Sequence, residues 1–388
     1  MKNIMKKIFL LPIIASLFLL SCQQKTPISG EQSSDHSSNE SSESMSTVTD
    51  ENIPYESIRD TTFENLRFSG RVLRDETGVH LDWTYSGFLF QGWFEGDITA
   101  DVKAVGQLDY LLHIIVDGQD TSARYSLDDT NILLATVEKG YHTIEVRKTT
   151  EGSTATVTLQ SLNYFGKMDS QPSPPTLKME FIGDSITCGV GAKAEQVTAT
   201  DWDYVRDCDS YLAFSTMTAR NLDADCHLTA VSGWGIIRGS TDMTQKIPSI
   251  YSYTSYIRSK NIEWDFSLYQ PDVVVIGLGT NDISYAVWKQ EEYIQACRDF
   301  LTTVREKNPN AYIVWVYGMM NNDLAALIQT AVSEQNDAKL SYLSLPCDQS
   351  GGWGHPDLTA QKEYAAILTE YLQNLLPQVK MCLSSVKK

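Results

Sequence analysis

The sequence predicts an α/β protein in which an all-β sandwich at residues 55–170 precedes a three-layer domain with a parallel sheet at residues 177–388. Residues 55–170 contain short runs of aromatic and β-branched residues, separated by turn formers such as Asp117-Gly118 and Lys139-Gly140. After residue 177, apolar runs of strand length alternate with longer segments of helical apolar spacing. This alternation is typical of parallel strands joined by crossover helices. The chain of 388 residues is long enough for two cores.

The first 22 residues have the architecture of a bacterial signal peptide. Lys2, Lys6 and Lys7 form a positive region, and an apolar stretch of residues 8–20 follows that is short for a transmembrane span. Leu19-Leu20-Ser21-Cys22 resembles a lipobox, so we expect export and a lipid on Cys22 that anchors the protein at the cell surface or in the periplasm. An uncleaved membrane anchor and an ordinary secreted protein remain alternatives.

Two segments are predicted to connect the structured parts. Residues 23–54 are expected to be a disordered, Ser-rich tether, because almost no large apolar residue is present to offset the entropy of ordering. Residues 171–176 contain three prolines and are expected to be a stiff linker, because successive prolines favour extended backbone.

Charge and cysteine usage exclude several kinds of partner. The net charge of −18 argues against nucleic acid, and it disfavours docking on anionic lipid other than through the N-terminal lipid anchor. The sequence has no CxxC or HExxH pattern, so we expect no metal and no other cofactor. Besides Cys22 there are six cysteines, which allow disulfides after export without indicating their pairing.

The α/β part has five predicted strands and four long predicted helices. The strands are expected at 177–183, 225–232, 272–279, 311–318 and 339–345, and the helices at 210–222, 291–308, 324–336 and 358–376. Residues 235–270 are the least regular and are expected to form loops. Four short motifs follow strand ends, which is where open α/β sheets place their sites.

The first motif, Gly183-Asp184-Ser185, directly follows the first parallel strand. A serine on a tight turn at a strand end is exposed to substrate and close to backbone N–H groups, which suits a nucleophile. A helix N-cap is the alternative interpretation of an isolated motif of this kind.

The second and third motifs are Ser232-Gly233-Trp234-Gly235 and Gly279-Thr280-Asn281-Asp282. A glycine lets a backbone N–H approach a ligand closely, and an Asn side chain offers a neutral N–H donor of the kind found in oxyanion holes. Turn formation explains either motif singly but explains the ordered set poorly.

The fourth motif is Gly354-His355-Pro356-Asp357. A neutral imidazole can accept the serine proton and return it to the leaving group. Only His227 and His355 follow the linker, and His227 lies inside a predicted strand, where core packing explains it. His355 is therefore the predicted base.

These four motifs, in this order, resemble those of the SGNH (GDSL) hydrolase superfamily over roughly residues 177–378. The resemblance implies a flavodoxin-like three-layer domain with Ser185 as nucleophile and His355 as base. It also implies that the Ser185 N–H, the Gly233 N–H and the Asn281 amide are the oxyanion donors.

The extended first motif, Gly183-Asp184-Ser185-Ile186-Thr187-Cys188-Gly189, together with the second and third motifs and the β-rich part in front, resembles carbohydrate esterase family 2. Members of that family join a jelly-roll-like β-sandwich to an SGNH domain. This resemblance implies removal of acetyl groups from plant-wall polysaccharides of the xylan or mannan type. One position departs from the superfamily pattern, because Gly352 stands where an Asp commonly precedes His355. We therefore expect a Ser–His dyad oriented by a backbone carbonyl or another neutral acceptor, with Asp348 and Asp357 as the alternatives.

Two other functions remain open. A lipid esterase or lysophospholipase would use the same catalytic residues with an elongated apolar pocket, and a surface lipoprotein that binds carbohydrate without catalysis would need none of them. Trp234 and Trp353 lie next to the proposed catalytic residues and are candidate substrate-binding residues, although ordinary packing explains them equally well.

Overall fold

A computed structural model describes residues 53–194, 201–258 and 262–376, all within one compact unit, Thr49–Lys388. The predicted signal peptide, Cys22 and almost all of the predicted tether lie outside the described residues, as does Cys382. The five described cysteines are unpaired, at positions 188, 208, 226, 297 and 347.

The N-terminal part is an antiparallel β-domain, as the sequence predicts. Its strands are β1 (Glu56–Asp60), β2 (Arg67–Ser69), β3 (Leu73–Asp75), β4 (Gly78–Leu81), β5 (Gly87–Gly106), β6 (Tyr110–Val116), β7 (Gln119–Tyr125), β8 (Asn131–Lys148) and β9 (Ala155–Met168). Their order is β3-β4-β9-β5-β8-β6-β7, with β1 added on β9 and β2 on β5. The long strands β5, β8 and β9 surround a core that includes Phe90, Phe94, Ile98, Ile144 and Leu162. Burial of each such side chain contributes about 1.5–3 kcal/mol to the stability of the folded state.

The two turns predicted in this part have different outcomes. Asp117-Gly118 joins β6 to β7 with φ values of 51° and 81°, and positive φ at both residues is what a tight two-residue hairpin needs. The turn predicted at Lys139-Gly140 is wrong, because β8 continues through it. Register shifts by one residue between the pairs Phe94–Gly140 and Gly96–Val137, so an extra residue is accommodated as an irregularity of the strand.

The C-terminal part has the predicted parallel sheet. Its strands are β10 (Leu177–Gly183), β11 (Ala224–Ala230), β12 (Val273–Gly277), β13 (Tyr312–Tyr317) and β14 (Leu340–Ser344). Their order is β11-β10-β12-β13-β14, and every neighbouring pair is parallel. The helices are α1 (Tyr204–Asp207), α2 (Phe214–Asn221), α3 (Ile283–Ala286), α4 (Gln290–Lys307), α5 (Ala325–Ser333) and α6 (Leu358–Leu375).

Alternation along the strands produces three layers. In β12, Val274 and Ile276 pack into a core with α4 and α5, whereas Val273 and Val275 pack into a second core with α2 and α6. Successive side chains of a strand point to opposite faces of the sheet, so a fully apolar strand needs helices on both sides. Residues 235–270 contain only short 3-10 turns and isolated bridges among their described positions.

Buried contacts join the β-domain to the α/β-domain. The Trp83 ring packs in the α/β core, and its Nε1 donates to the Thr254 carbonyl at 2.8 Å. Asp82 accepts hydrogen bonds from Ser255 Oγ and Arg258 Nε, each at 2.7 Å. The two domains therefore share an interface in addition to the linker between them.

Candidate active site

The four motifs meet at the carboxyl edge of the parallel sheet. β10 lies between β11 and β12, so the turns that follow these three strands are neighbours. Ser185 is on the first turn, Gly233 on the second and Asn281 on the third. His355 lies in the segment between β14 and α6. Sites in open α/β sheets form at this edge.

Ser185 and His355 are hydrogen-bonded to each other. Ser185 Oγ lies 2.9 Å from His355 Nε2, which is within the reach required for proton transfer. The serine turn is closed by hydrogen bonds from Cys188 N to Asp184 O (3.1 Å) and from Val190 N to Ser185 O (3.0 Å). This turn fixes the serine at the end of β10.

The other imidazole nitrogen faces a backbone carbonyl. His355 Nδ1 lies 3.1 Å from the Gly352 carbonyl oxygen. A carbonyl only accepts, so the hydrogen is on Nδ1 and the Nε2 lone pair is free to take the Ser185 proton. Burial lowers the pKa of His355, while the backbone carbonyls of Gly352 and Trp353 oppose this effect. The imidazole is thereby kept in its neutral, basic form near neutral pH.

Both nearby carboxylates have other partners. Asp357 Oδ1 accepts the Ala360 N–H at 2.9 Å and caps α6. Asp348 Oδ1 accepts the N–H and hydroxyl of Ser350 at 3.0 and 2.7 Å, and the Asp357 N–H at 3.4 Å. Within the part of the chain that the structure describes, no carboxylate is hydrogen-bonded to His355.

Gly352 has a steric reason to lack a side chain. A Cβ at this position would overlap the ring of Trp202 and lie 3.0 Å from Ala194 Cβ. Trp202 therefore fills the space that an acidic side chain would need in order to reach the imidazole from residue 352.

Gly233 and Asn281 lie in turns that are bonded to each other. Gly233 has φ of +78°, which favours glycine, and its carbonyl accepts the Ser240 N–H at 2.8 Å. Asn281 Nδ2 donates to the Trp234 carbonyl at 2.9 Å and, more weakly, to Asp184 Oδ2 at 3.3 Å. The Asn281 amide is thus held between the second motif and Asp184.

Two buried carboxyl groups lie beneath the site. Burial raises the pKa of Asp184 to about 7, with added repulsion from Asp282 and Glu151, while the Ile186 N–H opposes the shift. Burial likewise raises the pKa of Asp282 to about 6, although this group accepts N–H bonds from residues 236–238. With its pKa near 7, the Asp184 carboxyl is partly protonated near neutral pH.

The two predicted substrate-binding tryptophans differ in exposure. Trp353 is 59% exposed and adopts φ of +58°, and its ring contacts Trp202 at 6.1 Å between centroids. Trp234 is half-buried and packs against Tyr256 at 6.3 Å. His227 is buried and stacks on Tyr269 at 3.5 Å, which confirms its predicted place in the core.

Sequence reasoning missed two residues at the site, Trp202 and Glu151. Trp202 lies in a segment without a recognisable motif, and Glu151 belongs to the β-domain, far from the catalytic motifs in sequence. Glu151 nevertheless bonds to Ser232, next to Gly233. No local signal indicates either role, because both arise from contacts between distant segments.

The described ranges also bear on metals and membranes. No group of three or more His, Cys, Asp or Glu side chains placed to hold a metal ion is found in 53–194, 201–258 and 262–376. Across those same residues, no helix has the length and apolar character needed to cross a membrane.

Comparison with known proteins defines the class of the domain. The profile of the GDSL-like Lipase/Acylhydrolase family matches residues 181–376, and the chain belongs to this family. The predicted membership of an ester-hydrolase family and the predicted fold class are confirmed.

More particular relatives are carbohydrate esterases. The chain is 32% identical over 330 residues to the cellulase/esterase CelE of Acetivibrio thermocellus, an alignment that covers 80% of this chain and 39% of that protein. The chain thus spans about two fifths of the length of CelE. It is 28% identical over 295 residues to an acetylxylan esterase / glucomannan deacetylase of Cellvibrio japonicus, covering 72% of this chain and 80% of that protein.

A solved structure shows the same architecture. The structure of a family two carbohydrate esterase from Clostridium thermocellum, in complex with cellohexaose, matches with a TM-score of 0.75 and 26% identity. The match covers 80% of this chain and 99% of that one. The resemblance to carbohydrate esterase family 2 is therefore confirmed.

Proposed function

We propose that the protein is a serine esterase that removes O-acetyl groups from plant-wall polysaccharides or oligosaccharides of the xylan or mannan type. The observation that carries this proposal is the Ser185–His355 pair, with Oγ and Nε2 2.9 Å apart and Nδ1 held by the Gly352 carbonyl. The names of the relatives, an acetylxylan esterase / glucomannan deacetylase among them, support the acetyl and polysaccharide parts of the proposal.

The reaction proceeds through an acyl-enzyme. Ser185 Oγ attacks the acetyl carbonyl while His355 Nε2 takes its proton, which forms a tetrahedral oxyanion. The N–H groups of Ser185, Gly233 and Asn281 stabilise this oxyanion. Its collapse breaks the ester bond, and His355 returns the proton to the departing sugar hydroxyl. Water, deprotonated by His355, then attacks acetyl-Ser185, the bond between Oγ and the acyl carbon breaks, and His355 returns the proton to Ser185 Oγ as acetic acid leaves and ionises to acetate.

In this mechanism the Gly352 carbonyl takes the orienting part that an acid plays in a triad. It fixes the imidazole tautomer through Nδ1–H, and its dipole partly stabilises the imidazolium that forms when Ser185 is deprotonated. A neutral carbonyl stabilises the imidazolium form of His355 less than a carboxylate does. It therefore raises the pKa of the imidazole less than a buried carboxylate would.

A cleft next to the second motif has a lining that suits a carbohydrate. A cleft of about 540 Å³ lies beside Ser232, between β-domain loops and the α1 region. Its lining mixes Trp202 and Tyr204 with polar side chains that include Gln107 and Arg124. Aromatic faces beside hydrogen-bonding groups suit a sugar ring. We propose that the exposed Trp353 contributes to the same binding surface, and that Trp234 contributes only through its exposed edge.

Acetate release tests the proposal. The parent and the Ser185→Ala variant would be incubated with acetylated xylan, acetylated glucomannan and p-nitrophenyl esters of acetate and octanoate. We expect acetate from the polysaccharides and faster hydrolysis of the acetyl than of the octanoyl ester, both lost in folded Ser185→Ala. Preference for octanoate would favour the lipid esterase. If the parent protein binds the polysaccharides but releases no acetate, the result would favour a carbohydrate-binding protein without catalytic activity.

We also propose the domain and anchoring scheme for the full chain. Residues 1–22 form a lipoprotein signal peptide, residues 23–54 a tether from a lipid-modified Cys22, and residues 171–176 a linker between the β-domain and the esterase domain of residues 177–388. The expressed parent is expected to incorporate labelled fatty acid and Cys22→Ser is not, with esterase activity unchanged. A parent without label would contradict lipid anchoring at Cys22.

A further inference from the structure

Glu151 is a buried carboxyl group that the β-domain contributes at the edge of the site. It lies between β8 and β9 and is 2% exposed. The loop that carries it is seated tightly on the α/β-domain. The Ser153 N–H donates to Tyr256 Oη at 3.0 Å, and a Cβ on Gly152 would lie 3.1 Å from the same oxygen. Glu151 is thus held at a fixed place relative to the parallel sheet.

Within the described residues, the hydrogen bonds that the Glu151 carboxylate accepts come from the α/β-domain. The Ser232 N–H donates to Oε2 at 2.7 Å, and the Ser232 hydroxyl and the Tyr204 hydroxyl both donate to Oε1. The Glu151 carboxylate therefore accepts hydrogen bonds from both the backbone and the side chain of Ser232. Hydrogen bonds to a charged acceptor are roughly twice as strong as those between neutral groups.

Ser232, which is hydrogen-bonded to Glu151, directly precedes Gly233, whose N–H is a proposed oxyanion donor. Gly233 holds φ at +78°, and its own carbonyl accepts the Ser240 N–H at 2.8 Å. The Ser232–Gly233 peptide therefore lies between two anchored groups, the Ser232 N–H and hydroxyl bonded to Glu151 and the Gly233 carbonyl bonded to the Ser240 N–H. Loss of the first anchor would let the peptide rotate and turn the Gly233 N–H away from the oxyanion.

We infer that Glu151 is a positioning residue for ester hydrolysis: the β-domain supplies the carboxylate that aims the Gly233 N–H at the oxyanion. This inference rests on the proposed esterase function. It makes the β-domain a structural part of the catalytic site, in addition to any contact it makes with substrate. Donors of an oxyanion hole work because they are fixed before the charge develops, so the anchor affects the transition state more than substrate binding.

The test compares Glu151→Ala and Glu151→Gln with a matched interface variant, Asp82→Asn. Asp82 is also a β-domain carboxylate in the domain interface, 1% exposed, and its partners Ser255 and Arg258 lie outside the four motifs. Kinetics with p-nitrophenyl acetate would be measured on folded protein, with the folded fraction checked by circular dichroism.

We expect Glu151→Ala to lower kcat by about tenfold and to change KM by less than about threefold, because the donor is displaced and not removed. Glu151→Gln keeps one carbonyl acceptor for Ser232 and is expected to lose less. Because Gln and Glu are nearly identical in size, Glu151→Gln provides the test if Glu151→Ala does not fold. Asp82→Asn should lower the melting temperature while leaving kcat of the folded protein within about twofold.

A double-mutant cycle separates positioning from general destabilisation. If Glu151 acts through Ser232, Glu151→Ala combined with Ser232→Ala should cost clearly less than the product of the two single losses. A parental kcat in both Glu151 variants, or equal losses of kcat in Asp82→Asn, would overturn the inference. If the parent is active and Ser185→Ala is not, that result leaves the proposed function intact. Lack of ester hydrolysis by the parent would overturn both.

Discussion

Replacing the two carboxylates near the base should leave most of the activity in place. Asp348→Asn and Asp357→Asn each remove a negative charge from the segment that carries His355. In a catalytic triad, loss of the acid costs about 10⁴-fold in rate, because the acid fixes the tautomer of the imidazole and stabilises its charged form. At 1.36 kcal/mol for each factor of ten, this is about 5.4 kcal/mol of transition-state stabilisation.

The contacts of these residues give a much smaller expected loss. His355 Nδ1 is held by the Gly352 carbonyl at 3.1 Å, an acceptor that neither substitution removes. An Asn at 357 still caps α6, since Asn and Asp are equivalent at this position. An Asn at 348 retains a carbonyl oxygen for the Ser350 N–H. We therefore expect each variant to keep kcat within about tenfold of the parent, far from the triad loss.

The assay is steady-state hydrolysis of p-nitrophenyl acetate, with Asp357→Ala as the control. This control loses the N-cap bond to Ala360 and should lose about 0.5–2 kcal/mol of stability while keeping its kcat. A fall of three or more orders of magnitude in either folded Asn variant would identify that residue as the third catalytic member. Such a fall would refute the orienting role of the Gly352 carbonyl.

Three further predictions follow from single contacts. Asn281→Ala should lower kcat by roughly 10²-fold with a smaller effect on KM; an unchanged kcat would remove Asn281 from the site. Gly352→Ala should lower kcat by about 10²-fold, because a Cβ would collide with Trp202 and displace the carbonyl by about 1 Å; kcat within threefold of the parent would contradict this steric argument. Burial lowers the pKa of His113, but carboxylate hydrogen bonds, that to Asp209 foremost, raise it further, for a net increase. The contribution of His113 to the free energy of unfolding is therefore complete below its unfolded-state pKa of about 6.5 and is lost as pH rises through its folded-state pKa. The free energies of unfolding of the parent and His113→Gln, measured with urea, should differ by an amount that shrinks as pH rises above about 6.5, and a difference that grows would contradict it.

The sequence predicts those features of the fold that depend on local pattern. Fully apolar strands such as β12 require cover on both faces, and the amphipathic segments that become α4 and α6 provide it. Asp117-Gly118 has the backbone freedom for a hairpin and forms one. Lys139-Gly140 has a similar composition, but pairing with β5 continues across it, because tertiary pairing overrides a weak turn preference.

The proposed site could be predicted only as far as it is built from motifs at strand ends. The neutral acceptor expected for His355 has a candidate in the Gly352 carbonyl, whose position depends on a loop that no sequence pattern specifies. Trp202 and Glu151 could not be found at all, because each reaches the site from a segment distant in sequence. For Glu151 the contact crosses a domain interface, and only the packing of the β-domain on the parallel sheet brings it to Ser232.

Covalent labelling of the nucleophile tests the central claim most directly. The protein would be treated with diethyl p-nitrophenyl phosphate, which phosphorylates an activated serine, and the modified peptide would be identified by mass spectrometry while acetate release is followed in the same samples. We predict one diethylphosphoryl group per chain, located on Ser185, with activity lost in proportion to labelling and no label in Ser185→Ala or, at the same exposure, in His355→Ala. Loss of activity with the label on another residue, or full labelling of Ser185 with acetate release unchanged, would contradict the account.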